Sequence, residues 1–112
     1  EYEIEASTEA YAIITYKGSQ NSTIKVGGSA RTFIVNFYDE SGEKTDFEDG
    51  IWTFSIGEDD ASSLVETLTT ENENELKVKF IGGNSYISSV LTVTYTSTSG
   101  ITDGIDMNIA GL

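Results

Sequence analysis

The chain consists of short segments in which apolar and polar residues alternate, separated by stretches rich in glycine and polar residues. In residues 31–38, for example, Phe33, Val35 and Phe37 occupy every second position. An alternation of this kind places one set of side chains on a single face of a β-strand. The pattern predicts seven or eight strands, at residues 11–16, 23–26, 31–38, 51–56, 64–70, 75–80, 88–96 and 105–109.

The apolar faces of these strands define the predicted core. Residues 51–56 are the strongest core strand by pattern, because Trp52, Phe54 and Ile56 share one face. The weaker apolar pattern of residues 64–70 indicates an edge strand. The inward positions predicted in the later strands are Leu76, Val78, Phe80, Leu91, Val93, Tyr95, Ile105, Met107 and Ile109.

Two local features concern turns and sheet edges. The Asp103-Gly104 pair predicts a turn immediately before the last strand, because Asp bonds back to the main chain and Gly accepts a positive φ angle. In residues 75–80, Lys77 and Lys79 face outward, a pattern typical of strands that are protected against edge-to-edge pairing.

Strands at spacings of about 8 to 12 residues, each with one apolar face, are typical of two antiparallel sheets packed against each other. We therefore predict an all-β, immunoglobulin-like antiparallel β-sandwich of seven to eight strands. Trp52 supports this class, since immunoglobulin-like domains bury a tryptophan between their sheets on the corresponding strand. Residues 11–112 form this domain, and residues 1–10, which lack a clear pattern, are interpreted as a linker or the end of a preceding domain.

The 112-residue chain carries six basic and nineteen acidic residues, a formal net charge of -13. Nucleic-acid binding normally requires clustered Lys and Arg to displace counterions, so without such a cluster we expect no nucleic-acid partner. Binding to anionic membranes is disfavoured for the same reason, and no stretch approaches the roughly 20 apolar residues that span a bilayer. The acidity favours solubility and, for the isolated domain, a monomer.

Cysteine and histidine are both absent from the chain. Their absence excludes disulfides, zinc sites of the Cys/His type and every catalytic triad that needs an imidazole base. The serines have no evident base to activate them, and short loops offer little of the concave site that a pair of catalytic carboxylates requires. We therefore expect a protein that is not an enzyme.

Two acidic clusters are candidate ligands for Ca²⁺, because carboxylate oxygens are donors that this ion prefers. Neither cluster has the alternating acidic positions, glycine and distant glutamate of an EF-hand loop. We interpret both as solvated turns and expect no cofactor, with a calcium site formed by both loops at one end of the sandwich as the alternative. The six residues are Asp46, Glu48, Asp49, Glu58, Asp59 and Asp60.

Tyr38 and Tyr86 are the candidate ligand contacts. Tyr38 falls on the outward phase of its strand, and Tyr86 lies near the Gly82-Gly83-Asn84 turn. Aromatic faces beside Asp and Asn side chains are a common means of holding sugar rings. The alternative interpretation of both residues is packing at the ends of the sandwich.

Several segments also carry a resemblance to a known family, and they follow one another in the order ITYKG, TIKVGGSARTF, VNFYDESGEKTD, GIWTFSI, ELKVKFIGGNSYI, LTVTYTSTSG and DMNIAGL. Together they resemble the immunoglobulin-like domain at the C-terminal end of minor structural proteins in phages and prophages of Gram-positive bacteria. The resemblance covers about the last hundred residues. It implies an immunoglobulin-like fold and a decoration or adaptor role in a virion, but it transfers no binding residues.

The expected function is therefore that of a non-catalytic module in a phage or prophage structural protein, on the tail or near the head–tail junction. Its expected partners are host cell-surface polysaccharide or other virion proteins, bound weakly, with many copies on one particle adding avidity. Two alternatives remain open. One is a spacer or adhesion repeat of a bacterial cell-surface protein, and the other is an accessory domain that holds polysaccharide for an enzyme.

Overall fold

The computed structural model describes residues 10–17 and 22–111, which form ten β-strands and two short 3-10 helices, Ser62–Leu64 and Asn84–Tyr86. The predicted linker at residues 1–10 lies outside the described residues, apart from Ala10. The strands are β1 (Tyr11–Tyr16), β2 (Thr23–Lys25), β3 (Arg31–Tyr38), β4 (Lys44–Thr45), β5 (Gly50–Ile56), β6 (Asp59–Asp60), β7 (Val65–Leu68), β8 (Glu75–Phe80), β9 (Val90–Ser97) and β10 (Thr102–Ala110).

Each of the eight predicted segments overlaps one strand, and β4 and β6 are additional. Both additional strands have two residues, too few to show an alternation. Each follows a turn that contains a glycine with a left-handed backbone conformation. This glycine is Gly42, at φ 92°, before β4, and Gly57, at φ 64°, before β6. The described chain therefore forms ten strands where seven or eight were predicted.

The strands form two sheets that pack as a sandwich. The first sheet has the order β1-β3-β8-β7, with β4 paired to β3, and the second has the order β2-β10-β9-β5-β6. Neighbouring strands are antiparallel except β2 and β10, which run parallel. The prediction of an all-β sandwich is confirmed, and the parallel pair makes its second sheet mixed.

The core lies between the two sheets and is formed mainly by β3, β8 and β9. The predicted inward residues of these strands are buried, including Phe33, Val78 and Val93, which have no exposed surface. Tyr95 is 1% exposed, so its assignment to the core is also confirmed. Burial of these large apolar side chains is the main stabilising contribution in a chain without disulfides.

The prediction that β5 is the strongest core strand is wrong. Phe54 is buried, but Trp52 and Ile56 on the same face are only half-buried. β5 is flanked by β9 along its whole length and by the two-residue β6 on its other side, so its inward face lies near the margin of the sandwich. Trp52 packs edge-on against Tyr95, with ring centroids 4.8 Å apart.

Edge positions in the first sheet agree only partly with the sequence pattern. β7 is at the edge, as predicted, but β8 lies between β3 and β7. The interpretation of Lys77 and Lys79 as edge protection is therefore wrong. These lysines face solvent from an internal strand, where Lys79 stands opposite Glu66 of β7.

The predicted turn at Asp103-Gly104 is also wrong. Both residues lie within β10, and the chain turns at residues 98–100, where Gly100 has φ 98°. The Asp103 carboxylate serves a different purpose, since its Oδ2 accepts a hydrogen bond of 2.8 Å from the main-chain N–H of Ile14 on β1. This bond joins the edge of the first sheet to the second sheet.

Candidate functional site

Tyr38 lies at one end of the first sheet and stacks on Tyr11. The two residues are directly opposite each other on β3 and β1, and their rings are 5.3 Å apart with planes inclined by 16°. Tyr11 is 41% exposed, and Tyr38 is half-buried. One face of each ring is therefore covered by its partner, while the pair as a whole stays open to solvent.

Tyr86 is part of the packing at the opposite end of the sandwich. Its ring meets Phe80 edge-on, with centroids 5.9 Å apart. Gly82 makes room for this contact, because a Cβ atom at that position would lie 2.6 Å from the Phe80 ring. Tyr86 is half-buried against the core.

The two predicted ligand contacts do not form one site. Tyr86 packs against Phe80, near the end of the first sheet where β3 starts. There Arg31, the first residue of β3, is paired with Val78, and Phe80 lies two residues further along β8. Tyr38 is at the other end of β3. At about 3.3 Å per residue, the seven steps along β3 correspond to roughly 23 Å.

The two acidic clusters are likewise at opposite ends of a strand. Asp46, Glu48 and Asp49 precede β5, whereas Glu58, Asp59 and Asp60 follow it. The seven residues of β5 correspond to roughly 20 Å, so the clusters do not meet at one end of the sandwich. Among residues 10–17 and 22–111, no group of three or more acidic side chains is arranged to hold a metal ion.

Local hydrogen bonds occupy carboxylates in both clusters. The Glu48 carboxylate accepts a 2.6 Å bond from the Ser99 hydroxyl, and the Asp60 carboxylate accepts a 2.7 Å bond from the Ser62 hydroxyl. Phe47, inside the first cluster, packs on Tyr95 with centroids 5.9 Å apart. These contacts fix the chain at the two ends of β5.

A polar cleft of about 320 Å³ opens on the outward face of the first sheet. The connection between β7 and β8 forms one wall, and the end of β1 together with the start of β3 forms the other. All seven lining side chains are polar: Lys17, Thr32, Thr69, Thr70, Glu71, Glu75 and Lys77. We call this site the threonine–lysine cleft.

Glu75 is the fixed centre of the threonine–lysine cleft. Its side chain is only 9% exposed and forms an ion pair with Lys17, whose ammonium nitrogen lies 3.4 Å from the Glu75 Oε2. The Asn72 side-chain amide donates to the same carboxylate oxygen at 3.0 Å. The Thr70 hydroxyl donates to the main-chain oxygen of Asn72 at 3.0 Å. The wall of the cleft is therefore held in place by its own hydrogen bonds.

A second set of bonds ties the same connection to the middle of β3. The Asn74 side-chain amide donates to the main-chain oxygen of Val35 at 3.2 Å and to the side-chain oxygen of Asn36 at 3.3 Å. The main-chain N–H of Val35 donates to the main-chain oxygen of Asn74 at 3.0 Å. These bonds seat the β7–β8 connection against β3 and so form the cleft.

The sequence pattern did not single out any residue of the cleft as a ligand contact. The lining comes from three separate stretches of chain, and only the pairing of β1, β3 and β8 brings them together. The available signal was the outward phase of Thr32 and Lys77, which stand directly opposite each other on β3 and β8.

Comparison of the chain with protein-family models, with curated proteins and with solved structures finds no match.

In the part of the chain that the structure describes, no helix has the length and apolar character needed to cross a membrane.

Proposed function

We propose that this chain is a non-catalytic immunoglobulin-like module of a phage or prophage structural protein, which attaches the particle weakly to host-surface polysaccharide. The strand order supports the immunoglobulin-like class. With the longer strands lettered in chain order, β1-β3-β8-β7 matches the ABED sheet of that fold, and β10-β9-β5 matches its GFC sheet. Trp52 supports the same class, because it lies on the strand that corresponds to C.

The observation that carries the binding role is the open Tyr11–Tyr38 pair on the outward face of the first sheet. Tyr11 is 41% exposed, as is Ile13 on the same face of β1, while Tyr38 remains half-buried. Asn36 adds a side-chain amide on the adjacent position of β3. Aromatic and aliphatic surface beside an amide suits the mixed apolar and hydroxyl character of a sugar ring.

The virion setting is supported by the resemblance of the seven sequence segments to phage structural proteins. One structural observation favours a second candidate, a spacer repeat of a bacterial surface protein. β1 starts beside Tyr38 at one end of the sandwich, whereas β10 finishes beside Ser88 and Ser89 at the other. A module whose chain enters and leaves at opposite ends adds its full length to a string of modules.

The test is binding of the domain, displayed in many copies, to Gram-positive cell walls and to a panel of wall glycans. We expect binding that Tyr38→Ala weakens about tenfold, the change that a loss of about 1.4 kcal/mol produces. Ile51→Ala is the matched control, since Ile51 is 64% exposed on the second sheet. Melting curves of each variant establish that the fold is retained.

Tyr86→Ala separates a ligand contact from a packing residue. Its ring packs on Phe80, so we expect a lower melting temperature and unchanged glycan binding at a temperature where the variant is folded. Failure of the multivalent wild-type domain to bind any wall preparation would overturn the attachment function. Unchanged binding by Tyr38→Ala would remove the Tyr11–Tyr38 pair from the site.

A further inference from the structure

We infer that the threonine–lysine cleft is a subsite for an uncharged saccharide unit. The inference rests on the proposed function, because it names a second binding position on the same sheet face and the chemistry of the unit bound there. The cleft has a volume of about 320 Å³, near the lower end of the range for small-molecule sites. The cleft is therefore large enough for a single sugar unit of a longer ligand.

The lining favours a ligand with many hydroxyl groups. Lysine ammoniums donate hydrogen bonds, carboxylates accept them, and threonine hydroxyls do both. The cleft presents two lysines, two glutamates and three threonines, and it has no aromatic or aliphatic side chain in its lining. An apolar ligand would leave these groups without partners, whereas each sugar hydroxyl both donates and accepts.

Some of these groups are committed and others are available. Glu75 and Thr70 are held by the bonds described above. Among the described residues, four lining side chains form no hydrogen bond or ion pair with another residue: Thr32, Thr69, Glu71 and Lys77. The cleft thus combines a rigid wall with four free hydrogen-bonding groups, an arrangement that lowers the entropic cost of binding.

Charge favours a neutral unit over an acidic one. The two lysines of the lining are balanced by Glu71 and Glu75. The whole chain carries a formal charge of -13, which repels polyanions at a distance. A phosphate or carboxylate entering the cleft would meet both lysines and both glutamates and gain no net local attraction, while the charge of the whole chain opposes its approach. An uncharged sugar would not meet that opposition.

The cleft and the Tyr11–Tyr38 pair lie on the same outward face of the first sheet. Thr32, Ile34, Asn36 and Tyr38 alternate along the outward face of β3, and all four are partly exposed. The six steps from Thr32 to Tyr38 correspond to roughly 20 Å at about 3.3 Å per residue. An extended oligosaccharide along β3 would contact the cleft at one end and the tyrosines at the other.

The test is a titration of the ¹⁵N-labelled domain with glucose and with N-acetylglucosamine, followed by amide chemical shifts. We expect shifts concentrated at residues 17, 32, 69–71 and 75–77. Thr32→Val and Lys77→Met each remove one hydrogen-bonding group and should weaken the affinity about fivefold, the loss expected for about 1 kcal/mol. Lys25→Met, on β2 of the second sheet, is the control and should bind as the wild type does.

Glucuronic acid tests the preference for an uncharged unit. We expect it to bind less tightly than glucose, and stronger binding of the acid would overturn that part of the inference. If none of the three sugars shifts the amide signals of the cleft, the subsite itself is overturned.

These outcomes are separable from those for the proposed function. Wall binding that depends on Tyr38, without shifts at the cleft, would refute the subsite and leave the attachment function standing. Monosaccharide shifts at the cleft in a domain that binds no cell wall would refute the attachment function and leave the subsite.

Discussion

At the scale of single residues, Tyr95 connects the core to the acidic end of the sandwich. Its ring is buried against Phe37, Phe47 and Trp52, and its hydroxyl donates a 2.6 Å bond to the main-chain oxygen of Glu48. Burial raises the pKa of this phenol, and nearby carboxylates, led by that of Asp49, raise it further. Tyr95 therefore stays protonated in the folded protein at pH values where an unfolded chain would ionise it.

Tyr95 makes stability sensitive to alkaline pH. The pKa of the Tyr95 phenol is higher in the folded protein than its unfolded value of about 10. Its contribution to the free energy of unfolding is therefore fully present below pH 10 and is lost as pH rises through the folded pKa. Tyr95→Phe should lower the unfolding free energy at pH 7 by about 1 kcal/mol, because the Glu48 oxygen loses its donor. The variant should also lose less stability than the wild type between pH 9 and pH 11, in urea unfolding at each pH.

The matched control for this prediction is Tyr11→Phe, which removes a hydroxyl from an exposed tyrosine. It should leave the alkaline slope close to that of the wild type. An equal alkaline slope in Tyr95→Phe and the wild type would contradict the assignment of that slope to Tyr95.

At the scale of elements, the link between β1 and β10 decides how the edge of the first sheet is covered. β1 pairs with β3 on one side, and on its other side the N–H of Ile14 reaches the Asp103 carboxylate of β10. An edge strand with unpaired N–H and C=O groups is open to pairing with another chain, and an inward charged residue is one means of preventing this. Asp103 therefore joins the sheets and satisfies an edge donor with one side chain.

Asp103→Ala should destabilise the domain by about 1 kcal/mol and reduce hydrogen-exchange protection at the Ile14 amide. Asp103→Asn should retain most of the stability and most of the protection at Ile14, because the amide oxygen can still accept the hydrogen bond from the Ile14 N–H. The comparison variant is Asp106→Ala, which loses an exposed 2.8 Å bond from the Thr92 hydroxyl and should change stability by less than about 0.5 kcal/mol. Unchanged protection at Ile14 in Asp103→Ala would refute this role.

The alternation of apolar and polar residues predicted burial well on internal strands but did not predict the position of the last turn. Phe33, Val78 and Val93 sit on strands with neighbours on both sides, where the period of two corresponds directly to burial. Asp103 and Gly104 have the local chemistry of a turn, yet pairing with Tyr95 and Thr94 of β9 keeps them in a strand. Local propensity was outweighed there by long-range hydrogen bonding.

The candidate site was predictable to a smaller extent than the fold. The outward phase of Tyr38 followed from the alternation in its strand, but its stacking on Tyr11 depends on the register between β1 and β3. The threonine–lysine cleft depends in addition on the path of the β7–β8 connection, which Asn74 holds against β3. Neither register nor loop path leaves a periodic signal in one sequence.

At the scale of the whole molecule, positive charge is concentrated on one sheet. Nineteen acidic residues exceed the six basic ones by thirteen. Five of the six basic residues lie on strands of the first sheet or directly after one, namely Lys17, Arg31, Lys44, Lys77 and Lys79. Among the described residues, the second sheet and the loops at its ends therefore carry more net negative charge than the first sheet does.

Because repulsion between these carboxylates opposes folding, added salt should stabilise the domain. We expect the melting temperature to rise by about 4 °C between low salt and 0.5 M NaCl, the shift that about 1 kcal/mol gives in a domain of this size. CaCl₂ at the same ionic strength is the control. A markedly larger rise with CaCl₂ would reveal a bound calcium ion, and a fall in NaCl would contradict the dominance of repulsion.

The parallel pairing of β2 with β10 has a mechanical consequence. The pair joins residues 23–25 to residues 108–110, and the described chain begins and finishes at opposite ends of the sandwich. A tensile force on the two ends of the chain would draw these strands past each other along their length. Their hydrogen bonds would then be loaded in shear and would have to break together, which resists extension better than breaking one bond at a time.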